Sequence, residues 1–169
     1  MKKLLITLML LVSSSVLANN VHISPDMRIG PYTGSGISGG GIQVGLADIY
    51  GLDAIYVSYS HTSADFLTYK DRLKTYRVGG QYQLVTVPKM ALQLEVGVVE
   101  YEGSKDNIWG THTSYTEDSG ASISASWVIF INDHIGFRAG ADFNYLDKDK
   151  TDFNQNISAM LSTGVVFHF

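Results

Sequence analysis

A period-two alternation of apolar and polar residues recurs along this chain and constrains its fold more than any other feature. In the stretch that runs from Leu92 to Val98, every second residue is apolar, and the residues between them are Gln93, Glu95 and Gly97. Successive side chains of a β-strand point to opposite faces, so this alternation predicts strands with one apolar and one polar face. Helical periodicity is absent after the first 18 residues, and the chain is therefore predicted to be all-β.

Seven strands are clear from the alternation, and an eighth is expected within residues 21–32, where Pro25 and Pro31 interrupt the pattern. The predicted connections alternate between short ones at residues 50–53, 85–89 and 132–133 and longer polar ones at residues 65–72, 103–117 and 147–155. Outer-membrane barrels have short periplasmic turns and longer external loops. The pattern thus predicts an eight-stranded, antiparallel, up-and-down transmembrane β-barrel with residues 33–38 as its first external loop.

The composition of the polar faces indicates which side of the barrel meets lipid. A soluble barrel of the lipocalin or streptavidin kind is the alternative, and its outer face would be rich in Lys and Glu. Here the polar faces carry mainly Ser, Gly, Gln and Asn, whereas the lysines lie in loops or at strand ends. Small polar residues suit the crowded interior of an eight-stranded barrel, which favours an apolar outer face in lipid.

The N-terminus has the pattern of a secretory signal peptide. Lys2 and Lys3 precede a short apolar run, and small residues end it at Ala18. We expect residues 1–18 to be cleaved, which leaves residues 19–169 as the barrel. The apolar run is too short for a membrane-spanning helix, which needs about 20 residues. The sequence has no cysteine, so neither a lipoprotein anchor nor a disulfide is expected.

The last strand carries a family resemblance. It alternates apolar residues and ends in Val165-Val166-Phe167-His168-Phe169. A terminal Phe after alternating hydrophobic residues resembles the signal that barrel-assembly machinery recognises, and the whole of residues 19–169 resembles the small outer-membrane barrels of the OmpA/OmpX type. The resemblance implies a place in the Gram-negative outer membrane, in contact with its lipid and lipopolysaccharide. It is a resemblance of architecture, which does not carry function.

Six side chains on the polar faces are predicted to form a network inside the barrel. They are Arg77, Gln81, Gln93, Glu95, Arg138 and Asp142. Pairing through the turn at 85–89 sets Arg77 diagonally near Glu95, whereas Arg138 and Asp142 lie roughly 13 Å apart along their strand. Buried charges need partners, so we expect a packed polar plug. A narrow, ion-selective pore is the alternative.

A lipid A-modifying acyl hydrolase or transferase at the external rim is a second alternative. His61 and Ser63, and likewise His112 and Ser114, have the His-x-Ser spacing of some outer-membrane deacylases. Such an enzyme needs a third, acidic group about a dozen residues after the Ser, and the chain has Thr75 and Ser126 there. The sequence therefore favours a protein without catalytic residues, cofactor or metal, and His22 and His168 are too far apart in sequence to suggest a metal site.

The external loop at residues 103–117 is the favoured place for a contact with another protein. Trp109 and Tyr115 are its candidate contact residues, because exposed aromatic side chains anchor protein interfaces. Trp and Tyr also favour the lipid headgroup region, which is the competing interpretation. Loss of Lys2 and Lys3 with the signal peptide would take the net charge from −4 to −6, which argues against nucleic acid as a partner.

Overall fold

The chain folds into a closed barrel of eight antiparallel strands in sequence order, which confirms the predicted fold class. The computed structural model describes residues 20–30, 38–66, 69–106, 113–151, 153 and 155–169, with side chains omitted at 65, 66, 69, 105, 106 and 113–115. The predicted signal peptide at residues 1–18 lies outside the described residues. No helix in these ranges combines the length and the apolar composition needed to cross a membrane.

The strands follow one another around the barrel with short or moderate connections. They are β1 (Val21–Ile29), β2 (Ser38–Ile49), β3 (Leu52–Phe66), β4 (Tyr69–Gln83), β5 (Met90–Asp106), β6 (Thr113–Phe130), β7 (Ile135–Tyr145) and β8 (Ile157–His168). The barrel closes where β1 pairs with β8. We call the end with the β2–β3, β4–β5 and β6–β7 turns the turn end, and the opposite end the loop end.

The first strand is regular despite Pro25. Pro25 pairs with Ile42 of β2, and the pairing of β1 with β8 keeps one register on either side of it, from Ile23 opposite Phe167 to Asp26 opposite Gly164. The Val21 amide donates to Phe169, so odd-numbered residues of β1 direct their amides toward β8. Proline lacks that donor, which explains why the ladder is interrupted at this point of the seam.

Two of the predicted long loops are mostly strand, which corrects the sequence-based boundaries. Residues 65–72 contain the end of β3 and the start of β4, and most of residues 103–117 belongs to β5 and β6. These strand ends rise beyond the apolar belt, so their outward residues are polar and resemble a loop in sequence. Of the first predicted loop, at residues 33–38, Ser38 belongs to β2, and residues 33–37 lie outside the described residues.

The connection between β7 and β8 is a loop, as predicted, and it folds over the loop end of the barrel. It contains a short 3₁₀ helix, Lys148–Lys150, whose preceding residue Asp147 accepts a hydrogen bond from the Asp149 amide. The Asp147 amide donates to the Asp118 carboxylate at 2.8 Å, which ties the loop to β6. Phe153 packs 5.3 Å from Tyr101, measured between ring centroids.

The two faces of the barrel wall have opposite chemistry. Outward side chains such as Val57, Leu94 and Phe137 are 57–63% exposed, whereas the inward Arg28 and Asp142 are 2% and 0% exposed. A soluble barrel would show the reverse arrangement, with its apolar residues inside. The observed faces are those of a barrel whose outer surface is adapted to an apolar surrounding.

Candidate functional site

The barrel interior contains a closed ring of six charged side chains with alternating sign. In order around the ring they are Arg28, Asp26, Arg138, Glu95, Arg77 and Asp142. Arg28 joins two of the acids, with its Nε 2.9 Å from Asp26 Oδ1 and its Nη1 2.6 Å from Asp142 Oδ2. The first bond lies within β1, and the second connects β1 with β7 past the intervening strand β8.

The other half of the ring connects β4, β5 and β7. Arg77 Nη1 lies 3.4 Å from Asp142 Oδ1 and 3.7 Å from Glu95 Oε2. Arg138 Nη1 lies 3.6 Å from Glu95 Oε1, and its Nη2 donates to Asp26, which closes the ring. The ring holds as many guanidinium as carboxylate groups, so the buried cluster is formally neutral.

A group of uncharged polar side chains extends this ring toward the turn end. Gln43 donates to Glu95, and Ser58 Oγ donates to Glu95 Oε2 at 2.6 Å. Gln93 Nε2 donates to Gln81 Oε1 at 2.8 Å. A buried carboxylate needs such donors, because an ionised group without partners is costly in a medium of low polarity.

The structure places all six side chains of the predicted lumenal network inside the barrel. Arg77, Glu95, Arg138 and Asp142 belong to the ring, and Gln81 and Gln93 belong to its extension. Arg138 and Asp142 are linked through other members rather than to each other, as their spacing along β7 requires.

Sequence reasoning missed four members of this cluster, namely Asp26, Arg28, Gln43 and Ser58. The signal was present in β1, where Ser24, Asp26 and Arg28 fall on one face and Ile23, Met27 and Ile29 on the other. Pro25 and the nearby Pro31 obscured the alternation. The strand was therefore inferred from the even number of strands in outer-membrane barrels and not from its own pattern.

Apolar side chains pack together inside the barrel on both sides of the polar cluster. At the loop end, the buried residues Ala64, Leu73, Val99, Tyr101, Leu146 and Met160 pack together with Phe153. At the turn end, Ala91, Val128 and Val166 pack with Phe130. The interior is thus layered, with charges in the middle and apolar groups at either end.

Two histidines that lie far apart in sequence meet at the seam between β1 and β8. His22 Nδ1 is 2.9 Å from His168 Nε2, and His22 Nε2 is 3.2 Å from Gln43 Oε1. Because an amide oxygen only accepts, His22 carries its proton on Nε2, and His168 donates to Nδ1. Closure of the barrel thus brings together two histidines from opposite ends of the chain. No group of three His, Cys, Asp or Glu that could hold a metal ion occurs in the described ranges.

The residues of the hydrolase alternative do not come together in the part of the chain that is described. His61 and Ser63 lie on the outward face of β3, whereas Thr75 faces the lumen and bonds to Ser60 at 2.5 Å. Ser126 is also lumenal, near the turn end. His112 lies outside the described residues.

Within the described residues, β3 to β6 extend furthest at the loop end and form a tall wall on one side of the barrel. The pairing of β5 with β6 continues for eight residue pairs beyond Val98 and Ala121, which corresponds to roughly 25 Å of strand. The described pairing of β6 with β7 ends at Ala121 opposite Tyr145. Of the predicted contact residues, Tyr115 lies in this wall with its backbone opposite Ser104, and Trp109 lies outside the described residues.

No family model matches this sequence, and no curated protein matches it either. The fold is similar to that of neisserial surface protein A, with 18% identity, a TM-score of 0.64, and coverage of 88% of this chain and 97% of the other. It is also similar to Ail, the attachment invasion locus protein of Yersinia pestis, at 9% identity and a TM-score of 0.66, over 89% of this chain and 97% of Ail.

A third similar structure is a major outer membrane protein of Thermus thermophilus. It is 13% identical, with a TM-score of 0.61, and the match covers 88% of this chain and 99% of the other. At these identities the likeness concerns the fold alone. The chain thus has the fold of the small outer-membrane barrels, in agreement with the predicted OmpA/OmpX-type resemblance.

Proposed function

We propose that this chain is an outer-membrane barrel that presents a surface for interaction outside the cell. The observation that carries the proposal is the combination of an apolar outer belt with a one-sided wall above it, built from β3 to β6. The belt suits lipid, and the wall projects polar side chains into the medium. Neisserial surface protein A and Ail are described as surface and attachment proteins, and their shared fold supports the same role here.

The wall offers an unpaired strand edge for a partner. Residues 113–117 of β6 pair with β5 on one side, and on the other side the described ladders give them no neighbouring strand. An open edge is a template for an added strand from another protein. We therefore assign the contact with an external protein to this edge, with Tyr115 and Trp109 as the candidate contact residues.

The lumen in this proposal is a packed plug rather than a passage. The charged ring, which bridges β1, β4, β5 and β7, lies in its middle, and an apolar cluster packs toward each end. An eight-stranded barrel leaves room for side chains and little else. The stability of the barrel would then come partly from its interior, while its function resides on its outer surface.

Export and assembly complete the proposal. Residues 1–18 would direct the chain across the inner membrane and be removed, and Phe169 would be read by the barrel-assembly machinery. Once inserted, the barrel would be surrounded by outer-membrane lipid and lipopolysaccharide. Nucleic acid does not fit this role, because the protein is acidic overall.

Membrane fractionation tests the proposal directly. Full-length protein expressed in a Gram-negative host is expected in the outer-membrane fraction, with gel migration that changes on boiling, as a closed barrel resists detergent until heated. Recovery in the soluble periplasm would overturn the proposal. In planar bilayers the purified protein should give no discrete conductance steps, and regular steps would contradict the plugged lumen.

A further inference from the structure

The seam between β1 and β8 is divided into two parts near the turn end. Residues 21–23 of β1 pair with residues 167–169 of β8, and the pairing resumes at Asp26 opposite Gly164. Pro25, which has no amide proton, lies in the interruption. The end of the seam is thus a short ladder that is separated from the rest of the β1–β8 pairing. Short ladders at a chain terminus are the parts of a fold that open most easily.

A chain of hydrogen bonds crosses this short ladder on the inside of the barrel and runs in one direction. The His168 ring donates from Nε2 to His22 Nδ1 at 2.9 Å, and the His22 ring donates from Nε2 to Gln43 Oε1 at 3.2 Å. Gln43 donates in turn to Glu95 of the charged ring. We call His168, His22 and Gln43 the histidine clasp. Both nitrogens of the neutral His22 ring are engaged, one as a donor and one as an acceptor.

The surroundings of His22 oppose a positive charge on its ring. The side chain is 0% exposed, and the Tyr56 ring of β3 stacks on it with 4.8 Å between the ring centroids. The Arg138 guanidinium of β7 acts on His22 as a second cation, and the Glu95 carboxylate is linked to His22 through Gln43. A proton on His22 would therefore place a charge in a site closed to water and beside another cation, which is costly.

His168 has a different environment, at the mouth of the barrel. It packs 5.3 Å from Phe130, measured between ring centroids, and it borders a cavity of about 390 Å³. The titratable side chains that line the same cavity are Asp48, Asp53, Lys89, Asp133 and His134. A proton on His168 Nδ1 leaves its Nε2–H free to donate to His22. His168 can therefore carry a charge without breaking the pair, whereas His22 cannot.

We propose that the histidine clasp holds the turn end of the seam closed at neutral pH and releases it in mild acid. A proton at His22 Nδ1 replaces the acceptor for His168 by a second donor, so the bond between the rings is lost. A reversed bond, with His168 as the acceptor, would leave the charge buried beside Arg138. The charged ring reaches water when residues 21–23 separate from residues 167–169. The inference goes beyond the external contact surface, because it concerns the opposite end of the barrel.

The release is confined to the end of the seam, because the ring of charges ties β1 to β7 from the inside. Arg28 is bonded to Asp142 at 2.6 Å, and Arg138 donates to Asp26. Both contacts lie on the loop-end side of Pro25, and ordinary carboxylates and guanidinium groups keep their charges above about pH 5. The barrel is therefore expected to stay closed from Asp26 onward.

Amide hydrogen exchange of the refolded full chain in detergent micelles, followed by NMR and expressed as protection factors, tests the inference. A histidine in an opened strand has a pKa of about 6.5, so an opening that takes up one proton becomes about tenfold more frequent between about pH 7.5 and pH 5.5. We expect protection at residues 21–23 to fall by about this factor and protection at residues 26–29 to stay constant. Unchanged protection at residues 21–23, or an equal fall at residues 26–29, would overturn the inference.

Three variants with the same substitution identify the responsible histidine. His22→Asn retains an acceptor and a donor but takes up no proton in this range, so its protection should be equal at both pH values. His61→Asn, on the outward face of β3, and His134→Asn, at the cavity, should keep the tenfold fall. If His22→Asn still shows the fall, or if either control loses it, His22 is not the group that senses acid.

Two further measurements keep the test decisive. If His22→Asn does not fold, His22→Gln takes its place with the same expected result, since it also offers an acceptor and a donor without titrating. The folded band of the wild-type protein in heat-modifiable gel migration should persist at the lower pH. Loss of that band would show unfolding of the whole barrel and would contradict a release that is confined to the seam.

Discussion

Asp142 is fully buried and lies within 3.4 Å of the guanidinium groups of both Arg28 and Arg77. Its charge therefore offsets two cations that have no access to water. Asp142→Asn keeps the shape of the side chain but leaves those cations undercompensated, and breaking a buried pair in this way costs about 3–5 kcal/mol. We expect the free energy of unfolding in lipid vesicles, measured by urea titration with tryptophan fluorescence, to fall by this amount.

The matched control for this residue is Asp149→Asn, which makes the same change on the exposed 3₁₀ helix. Exposed substitutions of this kind usually alter stability by no more than about 0.5 kcal/mol. If both variants unfold at the same urea concentration, the ring does not stabilise the barrel. A double variant, Arg28→Met with Asp142→Asn, should recover part of the loss, because it restores the charge balance.

The residues of the ring also show how much of a side chain's surroundings can be predicted from the sequence alone. Glu95 and Arg138 were predicted to face the lumen because their strands alternate cleanly. Their partners were harder to predict, since Arg28 and Asp142 are 114 residues apart and meet only because the closed barrel places β1 and β7 on the two sides of β8. Periodicity predicts the face of a residue, and the register of every strand is needed to predict its contact.

Close packing of neighbouring strands depends on glycine at particular inward positions. A Cβ at Gly45 of β2 would lie 2.5 Å from Cα of Tyr56 on β3, closer than real side chains allow. At Gly80, on the outward face of β4, the nearest atom would be 3.5 Å away. We expect Gly45→Ala to destabilise the barrel by about 1–3 kcal/mol, as overpacking does, and Gly80→Ala to be neutral or slightly stabilising.

Heat-modifiable gel migration and urea titration compare the stability of the Gly45→Ala and Gly80→Ala barrels. Gly45→Ala should lose its folded band at a lower temperature than the wild type, and Gly80→Ala should not. The prediction is wrong if the two substitutions have equal effects, because that would mean that the β2–β3 pair tolerates a side chain at its closest approach.

At the scale of the strand, sequence patterns predicted where strands exist better than where they end. The turns predicted at residues 50–53 and 132–133 lie within two residues of those observed at 50–51 and 131–134, since apolar alternation stops there abruptly. At residues 103–117 the apolar residues also stop, yet the strands continue into the wall. Apolar and polar residues alternate where one face of a strand meets lipid and the other faces the lumen. Beyond the membrane this difference between the two faces disappears, although the backbone pairing continues.

The whole molecule has a direction, with turns at one end and the wall at the other, and this direction decides which surface meets the outside. The chain has no cysteine, so a single introduced thiol reports the side on which it lies. We expect Glu117→Cys, in the wall, to react with a membrane-impermeant maleimide in intact cells. Tyr50→Cys, in the highly exposed β2–β3 turn, should react only after the outer membrane is permeabilised. The reverse pattern would show that the wall faces the periplasm, and the wall could then not serve as an external contact surface.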